Sequence, residues 1–371
     1  MNFLFTCGGT AGHINPAIAI AERILELMLD ARILFVGAEG MMESKRVPEA
    51  GFEHKTVRIT NLQRGLSLDK IAHNLRTVKN VLISQRQATR ILREFKPDVA
   101  VGTGGYVCYP VLSACRALRI PTVLHDSNAV PGLTTRMLAG RVDRLLVGYE
   151  DSVNKYKRGV NVTFTGTPVR GGFAYGDAKE AKAALGIAPE TPLVVSVWGS
   201  LGSTHMNEII GNLIRRMNGD FRLIHASGER GYQAMLDKLG ESPEQLKTRG
   251  IDVRDYIHDM SRVMAAADII LCRAGASTLS ELSVSAKPAI LIPSPNVTNN
   301  HQEKNARVFE SAGAAKVLLE GQFDTESLLS LITELLSKPE TLDEMSQKMR
   351  SLAIPDATDR ILDIMLGLAT G

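Results

Sequence analysis

The chain has 371 residues, 44% of them apolar and 22% charged, the composition of an ordinary folded protein of about two domains. Disorder and a small disulfide scaffold are thereby excluded, and no apolar run approaches the roughly 18 residues of a membrane span. The formal charge of +3 conceals an asymmetry: residues 1–168 carry 22 Lys/Arg against 14 Asp/Glu, a balance of +8, and the remainder stands at −5. From the N-terminus, Asn2–Cys7, Arg32–Val36, Asp98–Val101, Pro121–Leu124 and Arg144–Val147 are predicted strands of a first half. Leu193–Val197, Arg222–His225, Ile269–Leu271 and Ala289–Ile292 are predicted strands of a second. Amphipathic stretches of helix length separate them. One is predicted to open at Pro16, a favoured first helical position, with Ala17, Ile18, Ala21, Ile24, Leu25 and Met28 on its buried face. The glycine-rich stretch Gly159–Gly176 reads as a hinge between the halves, and Asp356–Gly367 as a terminal helix. The expected fold class is α/β, with two doubly wound Rossmann-like domains facing across a cleft.

The first basic residue is Arg23, so no charged segment precedes the N-terminal apolar stretch and a secretory signal is not expected. Cys7, Cys108, Cys115 and Cys272 show no C-x-x-C spacing, which argues against zinc and redox motifs and for reduced thiols in a cytoplasm. Within Lys55–Lys96 ten basic residues face only Asp69 and Glu94. Such a run is either a solvated helix face or a surface for something anionic. Nucleic acid is not expected, because no basic motif interleaved with aromatics is present.

Four turns concentrate glycine and hydroxyl side chains after predicted strands: Gly8-Gly9-Thr10-Ala11-Gly12-His13, Gly102-Thr103-Gly104-Gly105-Tyr106, Trp198-Gly199-Ser200-Leu201-Gly202-Ser203, and Arg273-Ala274-Gly275-Ala276-Ser277-Thr278-Leu279-Ser280-Glu281. Glycine lets the backbone approach a ligand, and the helix start behind it offers N–H groups and a positive dipole end. One such turn is more often a tight connection than a phosphate cradle; four of them point to nucleotide chemistry. The dinucleotide fingerprint G-x-G-x-x-G is missing from the first turn, as is an acidic ribose partner about 20 residues on. No Walker loop and no Asp-x-Asp pair occur, so the familiar ligands for a metal-held diphosphate are missing too.

Read together, Gly8–Pro16, Gly104-Gly105-Tyr106, His125-Asp126-Ser127-Asn128-Ala129-Val130-Pro131-Gly132, Gly166-Thr167-Pro168-Val169-Arg170, Ala274–Glu281 and Asn300-His301-Gln302-Glu303-Lys304-Asn305-Ala306 closely resemble the MurG family of peptidoglycan N-acetylglucosaminyltransferases, over essentially the whole chain. The resemblance implies a GT-B fold, with residues 1–164 as acceptor and membrane-docking domain, 165–352 as UDP-sugar domain and 353–371 as a C-terminal helix that can pack back on the first. It implies inverting transfer from UDP-N-acetylglucosamine to muramyl-peptide pyrophosphoryl-undecaprenol, without cofactor or metal, at the cytoplasmic side of the cell membrane. Other cell-wall synthesis proteins are implied as partners. Three positions depart from the family: Asp126 where Glu is frequent, Trp198 where many members have Gly, and His301 beside Gln302 where a second Gln is common.

The resemblance also distributes roles. His13 is the candidate base, because an imidazole suits proton removal near neutral pH; holding the diphosphate or capping the helix is the alternative. Asp126 is its rival, or orients the acceptor, for which Gly104, Gly105 and Tyr106 are expected contacts. For the donor, Glu281 can accept two ribose hydroxyls, Ser200 and Ala276, Ser277, Thr278, Leu279 and Ser280 can meet the diphosphate, and Arg170 can pair with a phosphate. Ile257 is placed beside uracil, Gln302 and Asn128 at the sugar hydroxyls, and Thr10, Ala11 and Gly12 along the same ligand. An NAD-dependent oxidoreductase, a UDP-N-acetylglucosamine 2-epimerase or glycolipid glycosyltransferase, and a non-catalytic UDP-sugar sensor are the competing readings. Docking on an anionic membrane is expected through Leu68–Phe95, where Ile71, Leu75, Val78, Val81, Leu82 and Ile91 recur among Arg76, Lys79, Arg86, Arg90 and Arg93.

Overall fold

The computed structural model describes residues 1–59, 68–173, 176–199, 202–297 and 300–371, and the side chains of 68–79 lie outside the description. The chain forms two compact units, Met1–Arg170 with Asp356–Gly371, and Gly171–Pro355.

Among the described residues the first unit holds a seven-stranded parallel sheet: β1 (Asn2–Cys7), β2 (Arg32–Ala38), β3 (Glu53–Val57), β4 (Val99–Gly104), β5 (Thr122–Asp126), β6 (Arg144–Val147) and β7 (Val162–Phe164), in the order β3-β2-β1-β4-β5-β6-β7. Phe3, Leu4, Phe5 and Cys7 are buried although successive side chains of a strand point to opposite faces, as expected where helices cover both sides of a parallel sheet. One face packs Leu4, Leu34, Ala100 and Leu124 against Ala88, Leu92 and Val111 of the helices Leu68–Phe95 and Cys108–Ala117. The other packs Phe3, Phe5 and Phe35 against Ile14, Ile18 and Ile24 of the helix Ala11–Leu27, and against Ile361, Leu362 and Met365 of the terminal helix Ala357–Thr370. Arg23 reinforces that contact by donating to Asp359 at 2.7 Å. The last helix therefore belongs to the first unit.

The helix predicted to open at Pro16 begins at Ala11, with Pro16 inside it. Gly9, at φ +85°, turns the chain sharply enough for helical geometry to start just after Thr10, and the proline gives up one backbone hydrogen bond.

The second unit repeats the plan with β8 (Leu193–Val197), β9 (Arg222–Ala226), β10 (Ile251–Arg254), β11 (Ile269–Cys272), β12 (Ala289–Leu291) and β13 (Ala315–Val317), in the order β10-β9-β8-β11-β12-β13. Both sheets reverse direction of winding between neighbouring central strands, β1 beside β4 and β8 beside β11. Ligands of open α/β sheets bind beyond the carboxyl ends of strands at such reversals. The four glycine-rich turns follow β1, β4, β8 and β11.

Candidate active site

In the first unit the turns after β1 and β4 interlock. The Gly8 amide donates to the Gly104 carbonyl at 3.2 Å. Gly104 has φ +120°, and a Cβ there would come within 2.5 Å of His13 Cδ2; a Cβ on Gly105 would overlap the Gly8 carbonyl oxygen. These glycines are required because the His13 ring and the loop before it lie directly on them. The Thr103 hydroxyl donates to the His13 carbonyl at 2.7 Å. His13 Nδ1 lies 2.8 Å from the Gly8 carbonyl oxygen and 3.4 Å from Thr10 Oγ1. A carbonyl only accepts, so Nδ1 carries the proton and Nε2 holds the lone pair of the neutral ring.

Glu43, at the start of the helix Glu43–Glu49, is fully buried beneath this loop. It accepts the Gly9 amide at 3.0 Å and the Ala38 amide at 2.9 Å. Its charge adds to burial in raising the Tyr106 phenol and the Cys7 and Cys108 thiols, Cys108 to about 12, so these groups stay protonated at neutral pH. An acid in the first turn of a helix ordinarily reads as a partner of the dipole, so the sequence carries no signal of this role.

Asp126 ends β5, the neighbour of β4. Its Oδ1 accepts the Asn128 amide at 3.0 Å and the Asn128 side chain at 3.3 Å, and its Oδ2 accepts the Gly132 amide at 3.2 Å. The carboxylate thus organises the turn that follows it. Arg170 donates to both carboxylate oxygens of Glu22 at 3.1 Å through Nε, and again through a terminal nitrogen.

In the second unit a cavity of about 430 Å³ opens at the carboxyl edge of the sheet, lined by Trp198, Ser203, Arg273, Ser294, Gln302 and Glu320 among others. Arg273 organises it: the guanidinium donates to Ser203 Oγ at 3.1 Å and to the Ile292 carbonyl at 3.0 Å, pairs with Glu320, and lies 5.6 Å over the Trp198 ring. Gln302 Oε1 accepts the Ser294 amide at 2.9 Å, and the buried Asn305 side chain donates to the Ala274 carbonyl at 3.2 Å. Arg273 and Glu320 are the residues sequence reasoning missed here; the position of Arg273 at the end of β11 was the available signal.

The helix Ala276–Ser285 starts behind Gly275, which supplies no side-chain cap, so its amide end is built as an anion-binding helix start is. Ala276, Ser277 and Leu279 are buried, and Thr278, Ser280 and Glu281 half-buried. Burial and then the Glu281 charge raise the Cys272 thiol to about 12, which puts that carboxylate near the end of β11. Ile257 is buried beyond β10, and Ser200 lies outside the described residues. Structure therefore brings Thr10, His13, Gly104 and Gly105 together in one unit and sets Gln302 in a cavity of the other. Among the described residues no cluster of three or more His, Cys, Asp or Glu could hold a metal ion.

Two parallel units wound in this order, each with glycine-rich turns at its reversal point, make up the GT-B fold of sugar-nucleotide transferases. Residues 3–147 match the glycosyltransferase family 28 N-terminal domain and 193–361 its C-terminal domain. The chain is 43% identical over 365 residues to the UDP-N-acetylglucosamine–N-acetylmuramyl-(pentapeptide) pyrophosphoryl-undecaprenol N-acetylglucosamine transferase of Caldanaerobacter subterraneus subsp. tengcongensis, across 98% of this chain and 99% of the relative. It is 41% identical to the transferase of the same name from Acetivibrio thermocellus, across 98% and 97%. The crystal structure of Acinetobacter baumannii MurG aligns over 99% of both chains with a TM-score of 0.75 at 25% identity. The chain belongs to the MurG family.

Proposed function

We propose that the chain transfers N-acetylglucosamine from UDP-N-acetylglucosamine to the lipid-linked muramyl-peptide, with His13 as general base. The activity rests on identity to transferases over nearly the full chain. The role of His13 is carried by one observation, the hydrogen bond from Nδ1 to the Gly8 carbonyl, which leaves Nε2 as the atom able to take a proton.

The acceptor hydroxyl oxygen bonds to the anomeric carbon as its proton passes to Nε2. The bond from that carbon to the diphosphate oxygen breaks, and UDP leaves with the electron pair. A single displacement of this kind inverts the anomeric centre. The Gly8 carbonyl steadies the imidazolium that forms. Asp126, with both oxygens engaged by N–H donors, is assigned to shaping the acceptor turn with Gly104, Gly105 and Tyr106.

On the donor, Glu281 takes the ribose hydroxyls, and Ser200 with the Ala276–Ser280 helix start takes the diphosphate. Ile257 flanks uracil; Gln302 and Asn128 read the sugar, and Thr10, Ala11 and Gly12 line it. Arg170 pairs with a phosphate in exchange for Glu22. The acceptor lipid places the reaction at a bilayer. Among the described residues no helix is long and apolar enough to cross one; the docking assigned is peripheral, at the cytoplasmic leaflet. Leu82, Arg86, Arg90 and Arg93 share one exposed helix face, which supports docking through the first unit; the side chains of Ile71, Leu75, Arg76, Val78 and Lys79 lie outside the description.

Incubation with UDP-N-acetylglucosamine tests the reading. UDP release and lipid-linked disaccharide are expected only when the muramyl lipid is present. UDP release without acceptor, or epimerised sugar as product, would sink it.

A further inference from the structure

We infer that Glu43 is a positioning residue for His13, holding the Gly8–Gly9 backbone so that the Gly8 carbonyl fixes the imidazole in its Nδ1–H form. The inference rests on His13 being the base.

A carboxylate with no solvent exposure needs a structural reason to be there. Glu43 spans two strand ends: one oxygen takes the Ala38 amide at the end of β2, the other takes the Gly9 amide in the loop after β1. Space around it is reserved by glycine on both sides. A Cβ on Gly8 would overlap its Oε1, and a Cβ on Gly37 would overlap its Cγ and come within 2.6 Å of His54 Nε2. The amide it grips belongs to the residue after Gly8, the residue whose carbonyl accepts from His13. Peptide planarity couples the two, because the Gly8 carbonyl and the Gly9 amide are opposite ends of a single rigid peptide unit. Fixing the N–H end therefore fixes the direction of the carbonyl, and with it the tautomer and tilt of the ring. A neutral amide at position 43 offers one acceptor oxygen for the two amides and turns an NH2 toward the other.

The test compares Glu43→Gln, His13→Ala and the double variant in the full chain. For Glu43→Gln we expect kcat to fall about 10²-fold, the scale of a base misplaced by about 1 Å, with KM for UDP-N-acetylglucosamine within about twofold. In the His13→Ala background the same change is expected to add nothing, since the two act through one another. Long-range proton–nitrogen correlation of 15N-histidine protein should show His13 as the Nδ1–H tautomer in the wild type and as a mixture in Glu43→Gln. Should that variant fail to fold, Glu43→Asp keeps the charge but is one methylene too short to reach both amides, and the same outcomes are expected of it. Near-normal kcat in a folded Glu43 variant, or an equal loss with and without His13, overturns the inference. Near-normal turnover of His13→Ala by itself overturns the underlying assignment of the base instead.

Discussion

In the first unit the turns after β1 and β4 close on an imidazole backed by a buried carboxylate. In the second, the turns after β8 and β11 close on a guanidinium, an indole and hydroxyls. The backbone plan is shared, down to the strand order around the reversal point. What differs is the kind of side chain each plan presents. The first presents an imidazole, a ring nitrogen able to accept a proton; the second presents a guanidinium, a donor-only group held by Ser203, the Ile292 carbonyl and Glu320. Under the proposed roles, one scaffold serves proton transfer in one unit and fixed-charge recognition in the other. Charge follows the same division, with the basic excess in the first half of the chain and the acidic excess in the second.

The largest effect is expected from Gly104→Ala. The new Cβ meets the His13 ring and sits at a φ that L residues seldom adopt, so kcat should fall about 10³-fold, within the range for loss of a general base. UDP-sugar affinity, assigned mainly to the other unit through Glu281 and the Ala276–Ser280 helix start, should fall far less than kcat; isothermal titration beside steady-state kinetics checks both. If affinity falls with kcat, the two units do not divide the labour.

Next is membrane docking. Replacing Arg86, Arg90 and Arg93 together by Gln should weaken flotation with anionic liposomes about 10²-fold, at about 1 kcal/mol per charge. High salt should reproduce the loss. Neutralising Arg215, Arg216 and Arg222 of the second unit should do little, and an equal loss there would abolish the contrast.

A smaller effect concerns a likeness between the units, since each buries a histidine in a strand, His125 in β5 and His225 in β9. Burial lowers both, His225 to about 3. Below the unfolded value of about 6.5 the unfolded chain binds the proton and the folded chain does not, so stability is lost as pH falls from about 6.5 toward 3. At pH 4.5 the His225 share is about 3 kcal/mol, the order of two pKa steps. Urea unfolding of the second-unit transition at pH 7 and 4.5 should show it, and His225→Leu should flatten that slope.

The central strands were legible because burial on both faces makes them continuous apolar runs. The strands that sequence reading did not find, β3, β7, β10 and β13, are the four sheet edges. Glu53–Val57 reads Glu-His-Lys-Thr-Val with only Val57 buried, and such a half-solvated segment loses the apolar signature. The glycine turns and His13 were legible because they serve local backbone needs. Glu43, Arg273 and the Glu22–Arg170 pair were not, since each takes its meaning from partners remote in sequence: Glu43 from Gly9, Arg273 from Ser203 and Glu320, and Arg170 from Glu22 across 148 positions.

Trp198 is the chain's single tryptophan, and it lines the cavity of the second unit beneath Arg273. Its fluorescence during titration with UDP-N-acetylglucosamine, followed in wild type, His13→Ala and Glu281→Ala with turnover measured on the same preparations, tests the division of labour most directly. His13→Ala should titrate like the wild type while turning over about 10³-fold more slowly. Glu281→Ala should bind about 10- to 100-fold more weakly, as the loss of charged hydrogen bonds of about 1.5–3 kcal/mol requires. A His13→Ala protein that no longer binds the donor, or a Glu281→Ala protein that titrates like the wild type, would contradict the account.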